Sequence, residues 1–475
     1  MQKRPNIVLL MTDQMRGDCL GIAGHPDVKT PYLDALASNG ARFVNAYSAC
    51  PTCVPARAIL HTGMNQVHTG RVGYEDRVRW SYPHTMAGEL SKAGYYTQCV
   101  GKMHVHPLRS TQGFHNVRLH DGYMHEYRRP NTPGYEEQRR ADDYYWWLQQ
   151  QLGAGADPVN NGTDCNSWIA RPWLYEEKYH PTNWVADECV DFLRRRDRDM
   201  PFFLMASFVR PHPPVDAPRY YFDLYDRKDL RPPVYGDWND AERAKRDGHR
   251  YNFQTAPSDP EYIRQLQVGY YGAITHVDHQ IGRLLTVLVE ENLMDDTVFL
   301  FCSDHGEMLG DHLLFMKAKP FQGSVHIPMF LSGPERYVGR GVREDLVELQ
   351  DVMPTLLDLA GAPIPETVDG QSMLHPVQRE FLHGEHTLGQ DSMHYIVTRR
   401  DKYIWYSQTG RELYFDLEKD PNETHDASRD PENAQRVAQL RGELIRALDG
   451  REEGYSDGKQ LIVGRTPVTV LGRNR

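Results

Sequence analysis

Apolar runs and amphipathic stretches take turns along most of this chain, and that order leaves few folds open. "NIVLLMT" (Asn6–Thr12), "PFFLMASFV" (Pro201–Val209) and "DTVFLFCSD" (Asp296–Asp304) have apolar cores of strand length, suited to burial on both faces. "ARFVNAYS" (Ala41–Ser48) and "YTQCVGK" (Tyr96–Lys102) also read as strands, and "IPMFLSG" (Ile327–Gly333) closes the series. Helical patterns lie between them. "TPYLDALASNG" offers Thr30 as an N-cap, Pro31 at the first helical position and Gly40 as a stop. "TMAGELSKAGY", "TNWVADECVDFLRRR" and a long helix from Tyr262 to Met294 follow. Such alternation predicts an α/β fold, a large and mostly parallel sheet sandwiched by helices.

Two stretches break the rhythm, Pro107–His180 and Pro213–Pro260, both predicted to be long excursions over the sheet. Near Pro376 the character changes. "MHYIVTRRDKYIWYSQTGRELYFDL" (Met393–Leu417) holds three strand-like segments, and "ENAQRVAQLRGELIRALDG" (Glu432–Gly450) is an amphipathic helix. The expected organisation is a catalytic α/β domain over 1–375 and a smaller C-terminal subdomain over 376–475, an antiparallel sheet plus a helix. With 475 residues, 40% of them hydrophobic, the chain can bury cores of that size.

The net charge is -11, with acidic and basic residues intermixed, which argues against binding a nucleic-acid backbone. A locally positive pocket for a small anion is still compatible with it. "MQKR" and the short run "IVLLM" pass into "TDQ" with no cleavage site, and no stretch is long and apolar enough to cross a bilayer. The seven cysteines are scattered and odd in number, so reduced thiols and a cytoplasmic location are expected, without a membrane partner.

Two of the buried-strand patterns end in aspartate, Asp13 and Asp304, followed by Gln14 and His305. Strand ends are where open α/β sheets bind ligands. Two carboxylates, an amide oxygen and an imidazole there suit a divalent ion such as Ca²⁺, Mg²⁺ or Mn²⁺. "ACPTCVPARAILHTGM" (Ala49–Met64) can be read two ways. Cys50 and Cys53 have the spacing of a redox dithiol or half a zinc site. Cys53 alone, with Pro55 and Arg57, opens a helix whose N-terminus could hold an anion. "GKMHVH" adds Lys102, His104 and His106, "FVRPHPP" adds His212, and "GDHLLFMKAKPF" adds Asp311, His312, Lys317 and Lys319. Together they surround a strand-end site with cations, as stabilisation of a multiply anionic transferring group requires.

These segments resemble the type I sulfatases of the alkaline-phosphatase-like superfamily over nearly the whole chain. "PNIVLLMTDQ", "CVPARAILHTG", "GKMH", "SDHGEMLGDH" and "YFDLEKDPNE" fall in the family's order, and C-x-P-x-R is its most specific element. The resemblance implies that Cys53 is oxidised by a formylglycine-generating maturase to an aldehyde, whose hydrate attacks the sulfur of a small anionic sulfate ester. It further implies that Asp13, Gln14, Cys53, Asp304 and His305 hold a divalent ion, calcium or manganese with magnesium possible. Arg57 would steady the diol, and Lys102 and Lys317 would neutralise sulfate oxygens. His104 would take up the proton when the hemiacetal breaks, and His212 would assist the leaving oxygen. Gln14 and His305 depart from the Asp and Asn of many sulfatases and resemble bacterial phosphonate monoester and phosphodiester hydrolases, whereas Lys102 is sulfatase-like. A sulfate ester of a small sugar or aryl alcohol is the first expectation and a phosphonate or phosphate diester the second. The aromatic and arginine-rich "HEYRRP" and "DDYYWW", and the "HGEHT" residues His383, Glu385 and His386, are candidate rims for the substrate.

Overall fold

The computed structural model describes residues 4–122, 137, 140–158, 162–163, 165–226, 229–242, 244 and 259–472. In chain order its strands are β1 (Asn6–Asp13), β2 (Gly40–Tyr47), β3 (Tyr96–Gly101), β4 (Asn116–Leu119), β5 (Phe202–Pro211), β6 (Thr297–Ser303), β7 (Met329–Ser332) and β8 (Gly341–Glu348). Four more, β9 (Leu382–His386), β10 (Met393–Val397), β11 (Asp401–Tyr406) and β12 (Glu412–Asp416), form a separate sheet. The helices used below are α1 (Pro31–Ser38), α2 (Cys53–Thr62), α3 (Met86–Lys92), α4 (Asp143–Leu152), α5 (Pro181–Arg195), α6 (Arg219–Asp226), α7 (Pro260–Glu290), α8 (Val352–Ala360) and α9 (Ala434–Leu448).

The first eight strands make one sheet in the order β4-β3-β5-β1-β6-β7-β2-β8. β1 is parallel to β5 on one side and to β6 on the other, and β3 pairs in parallel with β4 and β5. β7 runs antiparallel to both β6 and β2, so the sheet is mixed at that point. Pleat alternation divides each central strand between two cores. Val8 and Leu10 of β1 join Leu204, Ala206, Phe299 and Phe301 on the face covered by α1, α4, α5, α6 and α7. Ile7, Leu9 and Met11 join Phe203, Met205, Val298 and Leu300 on the opposite face, under α2, α3 and α8. Continuous apolar runs arise because helices cover both faces.

The C-terminal sheet is antiparallel throughout, β12-β11-β10-β9, and α9 packs on it through Val437, Leu440 and Leu444. Its other side joins Tyr47, Met308, Phe321 and Leu346 of the larger sheet's surroundings in one apolar cluster. Strand β9 adds a fourth member to the three segments expected there. The excursions carry structure of their own, with β4 and α4 in the first and α6 in the second. "HEYRRP" lies outside the described residues. Among the described residues no helix is long and apolar enough to cross a membrane.

Leu9 is fully buried in the central strand. Leu9→Ala is expected to cost about 2–5 kcal/mol through lost transfer energy and the cavity left behind. Equilibrium denaturant unfolding measures it, and a cost below about 1 kcal/mol would contradict this packing.

Candidate active site

Parallel pairing brings the site together. Thr12 of β1 is level with Ser303 of β6, so the next residues, Asp13 and Asp304, emerge side by side. On the other flank Asp13 is level with Pro211, which places His212 beside it. Gly101 is level with Ser207, so Lys102 leaves β3 at the same rim. Helix α2 begins at Cys53, with Thr52 as N-cap, and directs its first turn at this rim.

Asp13, Asp304, His305 and Arg57 are fully buried. Arg57 Nε donates to Asp304 Oδ2 at 2.9 Å, and its Nη2 lies 3.8 Å from Asp13 Oδ2. Arg57 Nη1 donates to the Lys102 carbonyl (2.7 Å) and to Ser207 Oγ (3.0 Å). Nη2 has no hydrogen-bond partner. Lys102 Nζ donates to Asp13 Oδ2. Burial opposes ionisation of Asp13, but the neighbouring cations, Lys102 foremost and then Arg57, outweigh it and hold the carboxyl well below the usual range. Cys53 Sγ lies 3.2 Å from His305 Nε2 and 3.6 Å from Asp13 Oδ1.

His305 Nδ1 donates to the Gly306 carbonyl at 3.0 Å, and burial lowers the ring's pKa, leaving a neutral imidazole. Its Nε2 is therefore a lone pair, 3.6 Å from Asp13 Oδ1 and 3.8 Å from Asp304 Oδ1. One ligand atom each from Asp13, Cys53, Asp304 and His305 lies within 4.8 Å of the others. Acceptors facing acceptors in a buried cluster are the donor set of a divalent cation. Gln14 sits beside it; its amide oxygen accepts from Lys317 Nζ at 2.5 Å and its Nε2 donates to Glu307.

A cavity of about 330 Å³ opens above this cluster, lined by Cys53, Lys102, His104, His212 and Lys317 among others. Lys317 Nζ donates to His212 Nε2 at 2.9 Å and to Asn166 Oδ1 at 3.1 Å, while His212 Nδ1 donates to the Pro213 carbonyl. Burial and then Lys317 push His212 well below the ordinary histidine range, so its ring is neutral. His104 goes the other way. Burial and Lys102 would lower it, yet hydrogen bonds to Asp76 and Cys53 push it up to about 9. The Asp76 contact is His104 Nε2 to Oδ1 at 3.3 Å, and Tyr74 OH donates to the other Asp76 oxygen at 2.6 Å.

The residues to which the resemblance assigns a catalytic or metal-holding role meet here: Asp13, Gln14, Cys53, Arg57, Lys102, His104, His212, Asp304, His305 and Lys317. His386 also lines the cavity, and its Nε2 accepts from the Tyr74 backbone N–H. Others do not converge. Asp311 pairs with Arg16, His312 packs on Trp238, Lys319 reaches Asp391 and His106 lies in a side crevice. His383 and Glu385 sit apart, Glu385 held bidentately by Arg451. "DDYYWW" forms the start of α4, with Asp142 as its N-cap, and is not among the cavity lining. Cys50 packs in the apolar core under α2, outside the cavity, and burial pushes its thiol up. Asp76, Asp121 and Asn166 were missed by sequence reasoning, because each stands in an irregular segment with no periodic or motif signal.

A mixed, mostly parallel sheet with helices on both faces, and a buried carboxylate–imidazole–cysteine cluster at its strand ends, fit the alkaline-phosphatase-like class of hydrolases. The family model described as Sulfatase matches residues 5–362, and one described as N-sulphoglucosamine sulphohydrolase, C-terminal, matches 310–449. An arylsulfatase of Clostridium perfringens is 49% identical over 98% of this chain and 99% of its own. A choline-sulfatase of Rhizobium meliloti is 32% identical over 90% of this chain and 83% of its own. The phosphonate monoester hydrolase of Agrobacterium radiobacter shares the fold, with a TM-score of 0.76 at 24% identity over 93% of this chain and 95% of that one. The chain belongs to the sulfatase family, and it is a sulfuric ester hydrolase.

Because His104 is raised from 6.5 to about 9 in the folded protein, the Asp76–His104 pair contributes its full stability below pH 6.5. That contribution is lost as pH rises through about 9. Asp76→Asn is expected to move the His104 titration, followed by NMR, downward and to flatten this part of the stability profile. An unmoved midpoint would contradict the pairing.

Proposed function

We propose that the protein hydrolyses sulfate monoesters of a small sugar or aryl alcohol, using an oxidised Cys53 beside a divalent cation. The observation that carries the reading is the position of Cys53 Sγ, on the first turn of α2 and in one 4.8 Å cluster with Asp13, Asp304 and His305. When present, the formylglycine hydrate and a divalent ion would supply a nucleophilic oxygen and a Lewis acid. Asp13, Asp304, His305 and the Gln14 amide are the residues that would hold that ion; Ca²⁺, Mn²⁺ and Mg²⁺ all suit oxygen donors, and the imidazole favours Mn²⁺.

The remaining residues have separable tasks. Arg57, locked to Asp304, the Lys102 carbonyl and Ser207, leaves Nη2 as a fixed donor beside residue 53. Lys102 and Lys317 both line the cavity, so a sulfate bound there would exchange their Asp13 and Gln14 contacts for its own oxygens. His212, neutral and accepting from Lys317, can relay a proton from that ammonium to the departing alkoxide. Without the Cys53 Sγ hydrogen bond the His104 pKa would fall, and more of the ring would be neutral and free to take up a proton near neutral pH. Overall, the ester and water become an alcohol and hydrogen sulfate.

A second reading, hydrolysis of phosphonate monoesters or phosphate diesters, draws on Gln14 and His305, which leave this cluster with two carboxylates rather than three. Mass spectrometry of the tryptic peptide from Phe43 to Arg57, from a host that contains the maturase, should show aldehyde at position 53. Assays of that form on sulfate, phosphonate and phosphodiester panels should favour sulfate release. Cys53→Ser is expected to lose activity by a factor of about 10³ or more, and Cys50→Ser to lose little. Full sulfatase activity with an intact thiol at 53, or equal losses for the two substitutions, would refute the reading.

A further inference from the structure

One carboxylate in the cavity wall has no part in the chemistry above. Asp121 follows β4, is 2% exposed and lines the cavity. Its Oδ1 accepts from two consecutive backbone N–H groups, Met103 and His104, both at 2.8 Å. Those bonds fix the carboxylate against the turn after β3, where His104 itself adopts a left-handed φ of 57°. The other oxygen, Oδ2, is buried and has no hydrogen-bond partner. An unpaired buried acceptor of this kind is costly, and proteins retain one chiefly where a ligand or water satisfies it.

The neighbouring geometry makes the position readable. Gly122, the next residue, also lines the cavity and has a φ of 81°; a Cβ there would come within 3.1 Å of the Val209 side chain. The wall therefore stays close to the backbone beside Asp121. Lys102, Lys317 and Cys53, where the sulfate would bind, line the same cavity. Apolar surface from Val209, Met316 and Leu388 completes the lining. A single fixed acceptor among such groups selects orientation rather than overall affinity.

We infer that Asp121 is a specificity-determining residue, whose free Oδ2 accepts a hydrogen bond from a donor on the alcohol portion of the substrate. The substrate class is then a sulfate monoester of a small alcohol that carries a second hydroxyl or an ammonium group, which deepens the sulfatase reading and rests on it. Both donors share the chemistry that Asp121 recognises. An apolar alcohol of equal size leaves Oδ2 unpaired in the bound state and pays for it in kcat/KM.

The test compares aldehyde-bearing wild type with Asp121→Asn, which keeps an acceptor for Met103 and His104 but puts a donor where Oδ2 stands. Three size-matched sulfate esters are assayed, one with a free hydroxyl, one with an ammonium group and one purely apolar. Wild type should prefer at least one donor-bearing ester over the apolar one, and the preferred arm names the donor. In Asp121→Asn the kcat/KM ratio of that ester to the apolar one should fall by about 10- to 100-fold. Equal loss on all three esters marks a purely structural role and overturns the inference. If the variant does not fold, the wild-type ratio decides, and a value at or below unity overturns it. Wild type that releases sulfate from none of the three, while cleaving a phosphonate ester, overturns the sulfatase reading instead and the inference with it.

Discussion

Everything in this site depends on holding two carboxylates side by side in a fully buried place. Asp13 and Asp304 emerge from adjacent parallel strands because Thr12 is level with Ser303, and both are fully buried. Like charges so close repel strongly at low dielectric, and one would take up a proton unless cations intervened. Arg57 does so from beneath, bonded to Asp304 and 3.8 Å from Asp13, and Lys102 does so from the cavity side. Arg57 is itself buried and meets two further acceptors, so the arrangement has one well-determined geometry. Sheet register thus sets the electrostatics, and the electrostatics leave a lone pair of His305 and the Sγ of Cys53 facing the same point.

The cations above that point divide into two kinds. Lys102 and Lys317 are paired with groups that a substrate anion can replace, whereas Arg57 is not. The histidines divide similarly. His104 is held protonated by Asp76, and His212 is held neutral by burial and by Lys317. The two imidazoles on this one cavity therefore differ in protonation state near neutral pH.

Much of this was legible in the sequence, for physical reasons that also mark the limits. β1, β5 and β6 declare themselves because strands covered on both faces must be apolar throughout, and a carboxylate at the end of such a run is conspicuous. β8 did not, because "GVREDLVE" is an edge strand with a half-exposed, charged first half. β9 did not, because "LHGEH" buries polar groups whose partners, the Arg451 side chain and the Ala49 carbonyl that accepts from the Glu385 N–H, lie far away in sequence. β7 runs antiparallel to both its neighbours, a direction that periodicity does not encode. Lys317 reaches the cavity and Lys319 does not, although they stand two residues apart; the positive φ values at Met316 and Ala318 twist this segment away from simple alternation. Asp76 and Asp121 matter only because the fold folds their turns under His104.

The central claim is that the Asp13–Asp304–His305 cluster is a divalent-cation site built around residue 53. It is tested most directly by elemental analysis of the purified, dialysed protein beside Asp304→Asn, with circular dichroism confirming that both are folded. The account predicts a stoichiometric divalent ion in the wild type and its loss, or an affinity weakened by about 10- to 100-fold, in the variant. A folded wild type that retains no divalent ion when supplied with calcium, manganese and magnesium, or a variant that binds as tightly as wild type, would contradict it.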